Sequence, residues 1–313
     1  MRLPVSPMPL QAARRAVWLV AGLGLLALVV LWAGRSGLTL AAPREASPAL
    51  LLLALLPAAA TPVVHAWRWQ RMLLVLDQGL PLRAALRATV AATLVNYAVP
   101  GYAWAPVKGL VARQAYGVAL TRSAPTLAVE QALDAAALAL GAGLGLVLMP
   151  GLATQAQFQP PRGVFWLAVP AGVALVALAA LRRSGRFDAH LAALRSSGRQ
   201  LLGSRALYPW LASLTLARWA SDLVSFWLAT AALGVRLNPA QVLLLASLPV
   251  LAGLVTPIPG GLGVREGGVV AVGTLLGLPA GPLAGAALLH RAVLLAGLPL
   301  ALITFSIAPR SRL

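Results

Sequence analysis

The chain has no cysteine. Disulfides, thiolate metal sites and cysteine nucleophiles are therefore excluded. Histidine is scarce, and His65, His190 and His290 stand far apart in sequence, so a histidine-based phosphatase lacks its second nearby imidazole. Charge of either sign is thin, at 10% of residues, where a soluble domain carries about 25%. Acid is scarcest, with 7 Asp+Glu against 25 Lys+Arg and a net charge of +18. No Gly-x-x-x-x-Gly-Lys-Ser/Thr run occurs, so the chain offers no cradle of that kind for ATP phosphates.

What fills the chain is hydrocarbon. Hydrophobic residues make up 60% of it and the mean hydropathy is +0.84. Such a chain cannot cover a water-facing surface, but it can face lipid. An excess of Lys and Arg in a soluble protein would suggest nucleic acid. Here the basic residues fall mostly between apolar runs, and no basic stripe interleaves with exposed aromatics, so no nucleic-acid partner is expected.

A spanning helix needs about 20 mostly apolar residues. Apolar stretches cover residues 16–34, 48–66, 123–149, 163–181, 206–233 and 283–307. The first reads as a retained helix over Val17–Gly34, because no clear small-residue cleavage site follows it. Two further apolar regions, 82–118 and 239–278, are interrupted at Asn96–Gly101 and at Pro257–Gly263. Proline removes a backbone donor and glycine frees the backbone, so each region is expected to be helix–break–helix. A broken backbone at membrane depth survives only if protein buries it or it lines a wet cavity. The expected fold is an all-α polytopic membrane protein with about six spanning helices plus two re-entrant broken helices. Eight or more complete spans is the rival count.

Arg14, Arg15, Arg68, Arg71, Arg83, Arg87, Arg310, Arg312 and the arginines of segment 183–205 fall on one side if both termini are cytoplasmic. Only Arg35, Arg44, Arg162 and Arg236 fall on the other, the asymmetry expected of a chain in the cytoplasmic membrane. Segment 183–205 reads as a short interfacial helix or a solvated basic loop. His65 reads as interfacial, and Trp67 and Trp69 beside it as an aromatic belt.

The two broken regions resemble each other. Pro81, Pro100-Gly101, Lys108 and Gly117 in the first match Pro239, Pro259-Gly260, Arg265-Glu266 and Gly277 in the second. An odd number of spans separates them, which makes residues 1–313 one transmembrane domain of two inverted halves, 16–149 and 163–307. Inverted repeats with discontinuous helices are a transporter signature, with the site at their interface.

Several residues could carry chemistry. Gly260, Gly261 and Gly263 free successive N–H groups beside a helix start, an anion site to which Arg265 adds charge. In the alternative, Glu266 neutralises Arg265 in a tight turn. Lys108 is a second cationic contact or a snorkelling side chain. Glu130 and Asp134 lie four apart on one helix face. Carboxylates mid-helix must face protein or water, so they are expected to pair with Arg265, Arg291 or Lys108, or to relay a proton. Arg218 and Asp222, also four apart, suggest an intrahelical salt bridge. Arg291, beside His290, needs a partner such as Glu266 or Glu130.

The run Pro259–Glu266 (PGGLGVRE) resembles the membrane-embedded flippase-like family, the transmembrane part of lysylphosphatidylglycerol synthase/flippase proteins. So does the path from Asn96 through Pro100-Gly101 and Lys108 to Gly117, Glu130 and Asp134, and Arg291 is similar to the family's pattern. The likeness covers nearly the whole chain. It implies translocation of an anionic or polar membrane lipid, whether an aminoacylated phospholipid, another phospholipid or a polyprenyl-phosphate lipid. It also implies two half-repeats around a central cavity. The chain departs from the family in having no acid after the first Pro-Gly and a Glu130-Gln131 pair in place of Glu-Arg, which leaves the head-group charge open. With no soluble aminoacyl-transferase domain within its 313 residues, it is expected not to make lysyl-lipid itself. The expectation is a lipid translocator with no cofactor, metal or catalytic residue. The substrate contacts would be Asn96, Lys108, Glu130, Asp134, Gly260, Gly261, Gly263, Arg265, Glu266 and Arg291. An intramembrane lipid-modifying enzyme and an accessory subunit of an envelope glycosyltransferase complex are the alternatives. Association with a second copy or an envelope-assembly partner stays open.

Overall fold

The computed structural model describes residues 46–98, 104–149, 188–255 and 259–307. The expected spans at 16–34 and 163–181, the Pro100-Gly101 break, and Pro257 and Ile258 lie outside the described residues.

The described chain is helical. In order it forms α1 (Pro48–Val75), α2 (Leu82–Ala98), α3 (Trp104–Tyr116), α4 (Leu120–Val147), α5 (Asp188–Gly203), α6 (Tyr208–Ala232), α7 (Pro239–Val255), α8 (Val264–Leu275) and α9 (Ala280–Ile307). Single 3₁₀ turns sit at Arg205–Leu207 and Pro259–Gly261. Among the described residues, three helices are long and apolar enough to cross a membrane: Pro48–Val75, Leu120–Val147 and Ala280–Phe305. At 1.5 Å per residue a 28-residue helix is about 42 Å long, beyond the ~30 Å hydrocarbon core. By the same measure the 17-residue α2 and α7 reach about 26 Å, and α3 and α8 less. The broken regions are thus pairs of sub-spanning arms, and the two arms of each pair lie against each other.

Local chemistry sets these boundaries. Asn238 Oδ1 accepts from the Gln241 N–H at 2.9 Å, and Gln241 Oε1 accepts from the Asn238 N–H at 3.0 Å, a reciprocal cap that starts α7. The ends of α3 and α8 are followed by Gly117 and Gly277, with φ of 72° and 74°, a conformation that L side chains avoid. Segment 188–203 is a helix, not a loop. Its Gln200 donates to the Val75 carbonyl at 2.8 Å, satisfying the exposed end of α1, and accepts from Arg122 at 3.0 Å.

The polarity is inside out relative to a soluble protein. Leu52 and Leu56 of α1, Leu140 and Val147 of α4, Leu216 of α6 and Ile303 of α9 are exposed, while Arg68, Lys108 and Glu130 are fully buried. Apolar side chains facing outward around a charged interior suit a lipid solvent.

The packing is two-fold. α1 lies against α6, α4 against α7, and α9 against α2. Exchanging α1–α4 for α6–α9 maps the α1–α6 contact onto itself and the α4–α7 contact onto that of α9 with α2. It does the same for α1 with α2 and α6 with α7, for α1 with α9 and α6 with α4, and for α1 with α4 and α6 with α9.

Small residues allow the closest approaches. A Cβ on Gly145 of α4 would stand 2.8 Å from the backbone nitrogen of Leu244 in α7. A Cβ on Gly297 of α9 would stand 2.7 Å from the Ala58 carbonyl carbon in α1, where Pro62 cannot supply the usual i→i−4 donor. Gly141 and Gly145 form the small-xxx-small spacing that lets membrane helices meet at backbone distance.

The span at 48–66 was expected to end before Arg68 and Arg71, leaving both in a basic flank. The helix runs on to Val75, because those turns have protein, not lipid, to bury against.

Gly145→Ala is expected to lower the thermal unfolding midpoint in detergent, at a cost of about 1–3 kcal/mol for overpacking. Gly143→Ala, whose new Cβ meets nothing within 4 Å, is expected to leave the midpoint in place. Equal midpoints for the two variants would contradict the α4–α7 contact.

Candidate functional site

The charged interior is built from four helices of the first cluster. Glu130 sits on α4, one turn before Asp134. Lys108 Nζ from α3 meets Glu130 Oε2 at 2.7 Å, and His65 Nε2 from α1 stands 3.1 Å from Oε1. One turn further along α1, Arg68 reaches Asp134 at 2.8 Å and approaches Glu130 at 3.9 Å, while its other nitrogen donates to Thr215 Oγ1 of α6 at 2.9 Å. Arg218 of α6 meets Asp134 at 3.0 Å and its own-helix neighbour Asp222 at 3.7 Å. Asp222 accepts from Thr61 of α1 at 3.0 Å. Lys108 also lies 4.5 Å from the centre of the Trp69 ring, whose Nε1 donates to Thr126 at 2.9 Å.

Three cations therefore face three carboxylates, with His65 alongside. A buried charge without a partner costs several kcal/mol, and this arrangement leaves none of the six alone. Of the partners open to Glu130 and Asp134, Lys108 is found on Glu130, and the expected Arg218–Asp222 bridge is present. Glu130 and Asp134 do not reach Arg265 or Arg291 as ion partners; Arg68 and Arg218 take those places. His65, read as interfacial, touches Glu130. Trp69 is not part of an aromatic belt, since it is fully buried. Lys108 does not snorkel, because its ammonium is held between Glu130 and Trp69. Arg68 and His65 were missed as site residues. Their spacing of three on one helix face was the available signal, but it gains meaning only once Glu130 is known to lie opposite.

The second cluster surrounds the break between α7 and α8. Gly260 and Gly261 turn the chain with φ of 58° and 62°. Arg291 of α9 meets Glu266 Oε1 of α8 at 2.5 Å and donates to the Gly260 carbonyl at 3.1 Å. Glu266 Oε2 accepts from the Gly263 N–H at 2.8 Å. That N–H, expected to await an anion, is thus already capped, and Glu266 neutralises Arg291 rather than Arg265. Tyr97 from the end of α2 covers the turn: a Cβ on Gly260 would stand 2.7 Å from its ring, and Arg291 lies 5.5 Å from the ring centre. Asn96 beside it keeps a buried Oδ1 without a hydrogen-bond partner among the described residues.

Arg265 differs from the other interior cations. Its stem runs through a slot made by two glycines: a Cβ would stand 2.7 Å from its Cγ at Gly253 and 3.1 Å at Gly261. It forms no ion pair among the described residues. Its electrostatic neighbours are Arg291, Tyr97, Glu266 and Asp222. Arg265 lines a cavity of about 30 Å³ with Phe226, Pro249, Glu266, His290 and Arg291. Two cations against one carboxylate leave this cluster with one positive charge unmatched.

When the halves are aligned on Gly117/Gly277, Glu130 falls on His290 and Gln131 on Arg291, while Lys108 falls two residues past Glu266. Each half carries one ion pair between its short helix and its long one, and the sign is reversed between them.

Glu130→Gln is expected to destabilise the protein by about 3–5 kcal/mol, because Lys108 stays buried without its carboxylate. Adding Lys108→Met to Glu130→Gln is expected to recover part of that loss in thermal unfolding. A double variant as unstable as the two single losses summed would mean the pair is not coupled.

The family model described as the lysylphosphatidylglycerol synthase TM region matches residues 19–302. No curated protein and no solved structure matches the chain. A match over that extent, on a chain of buried charges and outward-facing hydrocarbon, places the protein in the lysylphosphatidylglycerol synthase transmembrane-region family.

Proposed function

We propose that the protein moves a lipid with an anionic or polar head group across the cytoplasmic membrane, acting as a translocator and not as an enzyme. The observation that carries this reading is Arg265. Lys108, Arg68, Arg218 and Arg291 each face a carboxylate. Arg265 forms no ion pair among the described residues, is half-buried, and lines a cavity at a broken helix. A phosphate or other anionic group would supply the missing charge, and an Arg fork suits its oxygens. The tails would stay in the bilayer while the head group passes the two breaks.

The two-fold packing supports this reading. Repeated halves with discontinuous helices allow one half to rock against the other around a site between them. The reversed ion pairs supply one latch in each half. Lys108, Glu130 and Asp134 then act as framework, and Arg265 with the Gly260–Gly263 turn acts as the head-group contact. Metal-dependent prenyl transfer would need free carboxylates, whereas Glu130 and Asp134 are both engaged by cations.

Arg265→Ala is expected to reduce movement of a fluorescent phospholipid in reconstituted vesicles to the rate of protein-free vesicles, while Arg265→Lys keeps part of it. Full activity in Arg265→Ala would remove this residue, and the reading with it.

The orientation, with both termini cytoplasmic, is tested by single cysteines on the naturally cysteine-free chain. Ser196→Cys on α5 should react with an impermeant maleimide only from the cytoplasmic side. Arg236→Cys, beyond the far end of α6, should react only from the opposite side. Both residues are exposed. The reverse pattern would invert the assignment.

A further inference from the structure

His290 is 8% exposed, lies at membrane depth on α9, and its Nε2 has no hydrogen-bond partner among the described residues. A buried polar atom left unsatisfied costs about 1–3 kcal/mol, so it calls for a physical account. Packing explains only one side of the ring, which stands edge-on to Phe226 at 5.3 Å between centres. His290 also lines the cavity that Arg265, Glu266 and Arg291 line. Its equivalent in the first half, Glu130, is held by Lys108, Arg68 and His65. His290 has none of those partners and has a cavity instead.

We infer that His290 is a ligand-contacting residue: its Nε2–H and the Arg265 guanidinium together form a subsite for one compact anionic group. This rests on the reading of Arg265 given above and adds a second donor to it. The charged groups facing the imidazole are Arg265 and Arg291, with Glu266 at the cavity wall. α6 presents Phe226, and α7 presents Leu245, Ala246, Pro249 and Val250, none of which titrates. The wall therefore carries net positive charge on an otherwise apolar lining. A cavity of about 30 Å³ holds about two waters or one small ion. It admits the anionic end of a head group, with the rest of the lipid outside, or a free inorganic anion. Arg265 supplies charge, and Nε2 supplies a hydrogen bond directed at one acceptor.

The test uses the full chain in an uncharged detergent. Thermal stabilisation is titrated with potassium chloride, with inorganic phosphate and with a short-chain phosphatidylglycerol, each against potassium gluconate at equal ionic strength. Wild type is expected to show saturable stabilisation, with the lipid and the inorganic anion competing. His290→Phe, which keeps the ring and loses both nitrogens, should weaken apparent affinity about tenfold, the scale of one hydrogen bond to a charged group. His290→Gln, which places an amide N–H near Nε2, should restore most of it. Wild-type affinity in His290→Phe, a folded His290→Gln without anion stabilisation, or no saturable effect of any anion on wild type would overturn the inference. Saturable anion binding by a wild-type protein that moves no lipid would sink translocation and leave the subsite standing. If only the lipid competes and the free anions do not bind, the source is the head group; if only the free anions bind, it is the inorganic ion.

Discussion

Two carboxylates one turn apart on a lipid-depth helix must be neutralised, and most of the interior is arranged to do so. Glu130 and Asp134 draw Lys108 from α3, His65 and Arg68 from α1, and Arg218 from α6. Helices in lipid gain little from burying apolar surface, because the solvent is equally apolar. A shared ionic cluster therefore specifies which helix lies beside which. Close glycine contacts at Gly145 and Gly297 then fix the distance between them. Charge sets the partners and small residues set the spacing.

The second half reuses the plan with its sign exchanged and its balance changed. Glu266 on the short helix and Arg291 on the long one mirror Lys108 and Glu130. Arg291 also holds the Gly260 carbonyl, which the broken helix has left without an intrahelical donor. That contact meets the requirement that irregular backbone at membrane depth be satisfied by protein. What remains is Arg265, whose stem passes between two glycines and which lines a small cavity. On the proposed reading, the described first cluster is charge-matched and the second is not, and the second is where a head group would be held.

The broken helices serve this arrangement through their ends. The last turn of α2 brings Tyr97 over the Pro259–Gly261 turn, so one half supplies a wall for the break of the other.

By itself the amino-acid sequence determined that this is a polytopic helical membrane protein of this family, with two interrupted regions near Pro100 and Pro259 and interior charges that need partners. Those features are local: apolar run length, Pro-Gly punctuation and the four-residue spacing of Glu130 with Asp134 or Arg218 with Asp222. They also put Lys108 among the possible partners of Glu130, and Glu266 among those of Arg291, because few opposite charges were available. Only the tertiary structure decided that Arg68 and His65 belong to the ionic cluster and that Trp69 is buried beneath Lys108. It alone showed that Glu266 is taken by Arg291, leaving Arg265 without an ion partner among the described residues. The reason is physical: a charge in hydrocarbon is assigned its partner by which helices meet across the bundle. That is a contact between segments far apart in sequence, and a single chain read along its length does not show it.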